Sequence, residues 1–255
     1  MRINLCGVKI DRITLDEAVD LIVNHAVLNN EPEYVVTPNA QHILLLQDDS
    51  HFSEIYANAF LVVADGVPLV WASQLLGKSL PGRVNGTDLF EQLCKVAAEK
   101  GLRVFLLGGR PQAAEHAAKL LQQRHPDLNV VGTYCPPYGF ETDQEELVAI
   151  NAKIRAAAPH LLFVGLGAPK QEYWMYHNYQ KIGVPISIGI GGSFELVSGL
   201  VPRAPIWMQK TGLEWFFRLL AEPRRLWKRY ILGNPHFVWL VFRQWLSQSL
   251  SEKTS

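Results

Sequence analysis

The sequence predicts an α/β fold: a Rossmann-like domain with a parallel sheet over residues 1–202, followed by a basic helical appendage over residues 203–255. Three observations predict it. Up to about residue 200, short β-branched or aliphatic runs alternate with longer stretches of helical period, the pattern of βα units around a parallel sheet. No internal repeat or low-complexity tract interrupts that alternation. Beyond Pro202 the composition changes: residues 1–202 carry 15 basic and 21 acidic side chains, residues 203–255 carry 9 and 3, and five of the seven tryptophans fall in the second part.

The expected strands, in order, are Ile3 to Leu5, Tyr34 to Val36, Leu61 to Val63, Val104 to Leu107, Val130 to Thr133, Leu161 to Gly165 and Ile186 to Ile190. Each is a run of branched or aliphatic residues too short to be a helix. Between them, helical periodicity predicts Leu15 to Leu28, Thr87 to Lys100, Gln112 to Arg124, Glu145 to Ala157 and Lys170 to Asn178. Thr14, with Glu17 three residues later, gives the first of these a capping box. From Ala204 onward three helical segments are expected, broken at Glu222-Pro223 and at Gly233-Asn234-Pro235, because proline lacks the amide proton that continues a helix.

Composition narrows the class. With 48% hydrophobic and 19% charged residues over 255 positions, the chain can bury a large core and is not expected to be disordered. Cys6, Cys94 and Cys135 are scattered and no CxxC spacing occurs, so neither a disulfide framework nor a zinc site is expected, and a reduced, cytoplasmic setting fits best. The N-terminus has no apolar stretch of signal-peptide type. The most apolar run, Phe237 to Phe242, is cut short by Arg243 and Gln244, so no membrane-spanning helix is expected. Tryptophan-rich helical segments that also carry arginine and lysine suit the interface of an anionic membrane. Trp215, Phe216, Phe217 and Leu219 are too contiguous for base-stacking platforms, which argues against a nucleic-acid partner.

Parallel sheets place ligands at the carboxyl ends of their strands, so polar residues just after the apolar runs are the first candidates. Thr37 and Asn39 follow Tyr34 to Val36, and Asp65-Gly66 follows Leu61 to Val63. Asp65 is placed as a general base would be, although an aspartate there can equally cap the next helix. Thr37 and Asn39 can equally bond their own turns. The Gly165 to Gln171 loop and the Gly108-Gly109 turn each offer backbone amides to a phosphate, and neither has the full spacing of a nucleotide motif. Glu195 follows the turn at Gly191-Gly192, and Arg83 stands in a loop before a helix, suited to grip an anion. Metal ligation has little support, since no Asp-x-Asp or HExxH pattern occurs and the eight histidines are dispersed.

Six stretches taken in order, TPNAQH, ADGVPLVW, GRVNGTDLF, GLGAPKQE, GIGGSFELVSG and RAPIWMQKTGLEWFFRLLAEPRR, resemble the WecG/TagA/CpsF glycosyltransferases from about residue 2 to residue 245. The resemblance implies inverting, metal-independent transfer of a sugar, often N-acetylmannosamine or its uronic acid. The donor would be a UDP-sugar and the acceptor an undecaprenyl-diphosphate-linked N-acetylglucosamine at the cytoplasmic membrane face, with no cofactor and with self-association possible. It implies Asp65 as the base that takes the acceptor proton, with Thr37 beside it and Asn39 in the same pocket. Arg83, Gln171 and Glu195 map to positions that hold substrate. The family's C-terminal arginines correspond to Arg218 and Arg225, with Arg224 and Lys228 as neighbours. At Lys228 this chain departs from relatives that carry arginine, a point charge replacing a fork. A glycoside hydrolase using Asp65 and Glu195 as a carboxylate pair, or a membrane-bound sugar-nucleotide sensor without catalysis, are the alternatives.

Overall fold

The computed structural model of the chain describes residues 1–28 and 31–252, with the side chains of residues 210, 225, 228, 229, 251 and 252 outside the description. The chain begins with an antiparallel hairpin, β1 (Arg2–Leu5) and β2 (Val8–Asp11). The strand expected at Ile3 to Leu5 therefore exists but does not join the parallel sheet. Cys6 and Gly7 both have positive φ, 50° and 86°, the geometry of a tight primed hairpin turn, reached here without the usual Asn-Gly signal. Asp11 ties the hairpin down, accepting from the Val62 amide at 2.9 Å while paired with Arg2.

After α1 (Leu15–Leu28), entered through the predicted Thr14–Glu17 capping box, come β3 (Glu33–Val36), α2 (Ala40–Asp48), α3 (Ser50–Asn58), β4 (Leu61–Val62) and α4 (Val67–Leu75). The βα alternation continues with α5 (Gly86–Lys100), β5 (Arg103–Gly108), α6 (Ala113–Arg124), β6 (Asn129–Tyr134), α7 (Gln144–Ala157), β7 (Leu161–Gly165), α8 (Lys170–Ile182), β8 (Ile186–Gly189) and α9 (Ser193–Val197). The six strands pair in parallel in the order β4-β3-β8-β7-β5-β6.

Both faces of this sheet are covered, as the period of two requires. Tyr34, Val36, Leu107, Leu162 and Val164 point into one core layer beneath α2, α3 and α8. Val35, Val104, Leu106, Phe163, Ile186 and Ile188 point into the other, beneath α1, α5 and α6. Because the chain moves outward from β3 to β4 on one side and from β5 to β6 on the other, a crevice opens at the carboxyl ends of the central strands.

The C-terminal segment contains α10 (Ile206–Lys210), α11 (Glu214–Ala221), α12 (Pro223–Trp227), a π-helical turn (Lys228–Leu232) and α13 (Gly233–Glu252). The expected break at Glu222-Pro223 is present, with Pro223 opening α12. The expected break at Gly233-Asn234-Pro235 is not. Pro235 lies in the first turn of α13, directly after the wide π turn, so its ring and missing amide are accommodated without ending the helix. Phe237, Leu240 and Val241 of α13 are buried in the same core layer as Tyr34 and Val36, and Gln244 bonds the β1–β2 hairpin through the Cys6 amide and the Asn4 carbonyl. No helix among the described residues is long and apolar enough to cross a membrane.

Candidate active site

Asp65 stands three residues beyond Val62, the end of β4, with its amide bonded to the Pro38 carbonyl at 2.8 Å and the preceding Ala64 carbonyl accepting from Val84. Gly66 is the N-cap of α4 at φ 121° and ψ 140°, a conformation that strongly favours glycine, and no side chain caps that helix. Asp65 is therefore not spent on capping. Its Oδ1 accepts from Nδ2 of Asn85 at 3.1 Å, while Oδ1 of that same buried Asn85 caps α5 through the Thr87 and Asp88 amides. Burial pushes the Asp65 carboxyl up to about 6; Arg218 opposes that rise, Glu214 adds to it, and Arg83 and His42 oppose it.

Two clefts meet at this carboxylate and share Asn39, Gln41, Asp65, Asn85 and Arg218. The first is about 710 Å³ and continues past Val67, Pro68, Trp215 and Tyr230. The second, about 1270 Å³, runs along the strand ends over Thr37, Gly167, Gln171, Gly191 and Glu195. Above them the turn between α10 and α11 sits on α4 through Gly212. Its φ of 74° favours glycine, and a Cβ there would stand 2.9 Å from the Trp71 ring.

The structure brings most of the expected residues together. Thr37 is buried in the second cleft, its hydroxyl donating to the Gly189 carbonyl at 2.8 Å, which ties the ends of β3 and β8. Asn39 lines both clefts and caps α2, Oδ1 accepting from the Gln41 amide, so the turn bonding considered from sequence and the cleft position are both real. Gln171 is buried, accepts from the Gly191 amide at 3.0 Å and donates to Glu172 at 2.8 Å. Glu195 holds the Arg110 amide through Oε1, and its Oε2 is buried without a partner at the edge of the second cleft. Arg83 lines the first cleft and Arg218 both. Arg224 is exposed on α12 and lines neither cleft. The side chains of Arg225 and Lys228 lie outside the description.

Sequence reasoning missed four groups. Asn85 orients Asp65. His42 is buried beside Asn39: its Nδ1 accepts the Asn39 amide at 3.2 Å, and its Nε2 lies 3.4 Å from Glu172. Arg110 lines the second cleft and pairs with Glu222. Glu214 accepts from both Arg83 and Arg218. For Asn85 the available signal was its N-cap pattern ahead of Gly-Thr-Asp; for the others only the fold supplies the neighbours. Among the described residues no group of three or more histidine, cysteine or acidic side chains is arranged to hold a metal ion.

Chemically, the arrangement offers a carboxyl raised to about 6, able to take up a proton, at the meeting point of two clefts that the guanidinium of Arg218 also lines. The family described as Glycosyl transferase WecG/TagA/CpsF family matches residues 3–251. An N-acetylglucosaminyldiphosphoundecaprenol N-acetyl-beta-D-mannosaminyltransferase of Bacillus subtilis is 32% identical over 231 residues, 90% of this chain and 87% of that protein. Proteins of the same description from Bacillus spizizenii and Staphylococcus aureus are 32% identical over 84% of this chain and 80% of theirs, and 30% identical over 89% and 86%, respectively.

Proposed function

The chain belongs to the WecG/TagA/CpsF family of glycosyl transferases, and from that premise we propose the reaction its site performs. The enzyme moves N-acetylmannosamine or a related sugar from a UDP-sugar to an undecaprenyl-diphosphate-linked N-acetylglucosamine, in the synthesis of a cell-surface polysaccharide or a teichoic-acid-type polymer. The observation that carries this reading is the position of Asp65, a carboxylate not used for capping that stands where two clefts join. The similarity to relatives named for that acceptor and that sugar supports the choice of substrates.

In this reading the second cleft takes the donor. Gly191, Gly192 and the glycine-rich loop at Gly167 line this cleft and leave room for a diphosphate, with the Gly191 amide itself held by Gln171. The more apolar first cleft, walled by Pro68, Trp215 and Tyr230, takes the acceptor. Asp65 removes the proton from the acceptor hydroxyl as that oxygen attacks the anomeric carbon and the bond to UDP breaks on the opposite side. A single displacement of this kind inverts the anomeric configuration. Asn85 keeps the carboxylate aimed, and Arg218, which reaches both clefts, offsets the charge that develops on the departing diphosphate in place of a metal ion. Thr37 shapes the donor cleft by fixing the end of β8. The C-terminal helices, with their exposed tryptophans, rest on the inner face of the cell membrane, where the acceptor resides.

The test is transfer from a panel of UDP-sugars to a short-chain lipid-diphosphate N-acetylglucosamine with EDTA present, for wild type and Asp65→Ala. Product is expected from wild type alone, with kcat/KM falling as the pH drops below about 6, where Asp65 takes up a proton. Activity that survives Asp65→Ala within tenfold, or that disappears in EDTA, overturns the mechanism.

A further inference from the structure

Glu214, the first residue of α11, faces two arginines at once. Its Oε2 accepts from the Arg83 guanidinium at 2.7 Å, and its Oε1 accepts from Arg218, one turn along the same helix, at 2.8 Å. Arg83 belongs to the loop before α5 and Arg218 to α11, so one carboxylate joins the sheet domain to the C-terminal segment at the wall of the clefts. The bridge is partly shielded from water, with 13% of the Glu214, 19% of the Arg83 and 33% of the Arg218 side chain exposed. Charge-assisted bonds in such surroundings are strong, and removing one partner leaves the others uncompensated. Burial resists the charge on Glu214, but Arg218, Arg83 and Arg203 outweigh it and hold the carboxyl below its usual range.

We propose that Glu214 is a positioning residue for the transfer: by holding Arg83 and Arg218 on a single carboxylate it seats α11 and fixes the arrangement of charge around Asp65. This rests on Asp65 being the base. Among the described residues, the charged and titratable groups facing Asp65 are Arg218 and Glu214 from α11, Arg83 from the loop before α5, and His42 from α2, with Asn85 bonded to it. Three of the four favour the Asp65 carboxylate, and Glu214 opposes it. Glu214 thus holds Arg218 in place for the departing diphosphate and Arg83 at the first cleft, while keeping the base from becoming too weak a proton acceptor.

The experiment compares the full chain with Glu214→Gln and Glu214→Asp, following kcat/KM for transfer against pH. Glu214→Asp keeps the charge and is expected to retain the wild-type acid limb. Glu214→Gln keeps the shape and loses the charge; it is expected to lower kcat/KM at least about tenfold and to move the limb to lower pH by on the order of half a unit. A role confined to holding the helix would lower activity and leave the limb where it is, so an unmoved limb overturns the proposal. Where Glu214→Gln is too slow to assay, ¹³C NMR titration of the Asp65 carboxyl reads the same shift, and an unmoved titration overturns it equally. Should that variant not fold, Arg83→Gln breaks the bridge from the other side and removes a cation from Asp65; a limb or titration that fails to rise counts against the proposal. Wild-type protein that transfers no sugar overturns the reading of function instead, and the NMR titration then decides on Glu214 separately.

Discussion

Single side chains in this site serve the fold with one atom and the cleft with another. Asn85 caps α5 through its oxygen and steers Asp65 through its nitrogen, and Asn39 caps α2 while lining both clefts. Asp65 is the exception, a carboxylate held where its charge is disfavoured. Its pKa of about 6 in the fold exceeds the usual 3.8, so the folded state binds this proton more tightly than the unfolded state does. Below about pH 4 both states are protonated and the site costs nothing; the cost grows as the pH rises and is complete above the folded value. Asp65→Asn is therefore expected to stabilise the protein by on the order of 2 kcal/mol at neutral pH and by nearly nothing at pH about 3.5. Urea unfolding at the two pH values checks this, and an equal gain at both would remove the buried charge as its cause. Thr37, Asn39, Asp65, Gln171 and Glu195 were legible in the sequence because each closely follows an apolar run that becomes a strand. Asn85 and Glu214 were not, because each reads as an ordinary helix start, and the partners that give them meaning lie 20 and 131 positions away.

Among the elements, the six parallel strands were legible from their aliphatic runs, and five helices from their period. Strand β2 was not, since Cys6-Gly7 carries no common turn signal, and neither were α2, α3 and α4. Asp49 both ends α2 and caps α3, so one residue divides a stretch that has no proline or glycine to mark the division. α4 has apolar residues on all sides and no single face to detect; its Trp71 and Leu75 remain exposed. In the C-terminal elements Trp207, Leu220, Trp239 and Phe242 are exposed as well, with Arg243 stacked 5.1 Å from the Trp239 ring. Rings beside guanidiniums suit the headgroup region of a bilayer. Co-sedimentation with phosphatidylglycerol vesicles is expected, weakening with salt and near zero for neutral phosphatidylcholine, and Trp207→Ala with Trp239→Ala is expected to reduce it at least about tenfold. Equal binding to both vesicle types at all salt concentrations would rule out this surface as the membrane contact.

For the molecule as a whole, the sequence suggests an appendage that begins near residue 203, and the structure shows how closely its last helix is built into the rest. Phe237, Leu240 and Val241 of α13 are buried in one of the two core layers. Deleting everything after residue 202 is therefore expected to abolish transfer and also to destabilise the sheet domain by several kcal/mol, at about 1.5–3 kcal/mol for each large apolar side chain lost. Thermal melting and gel filtration of the truncated chain check this; a monomer that melts at the wild-type temperature would show instead that α13 is dispensable to the core. The bonds from Gln244 to Asn4 and Cys6 span 240 and 238 positions of sequence. At translation speeds of roughly 5–20 residues per second, the hairpin waits on the order of ten seconds or more on the ribosome for the helix that covers it. The first cleft is thus completed only after α13 emerges, and a nascent chain stalled short of that helix lacks the part of its wall that Gly233 and Asn234 supply.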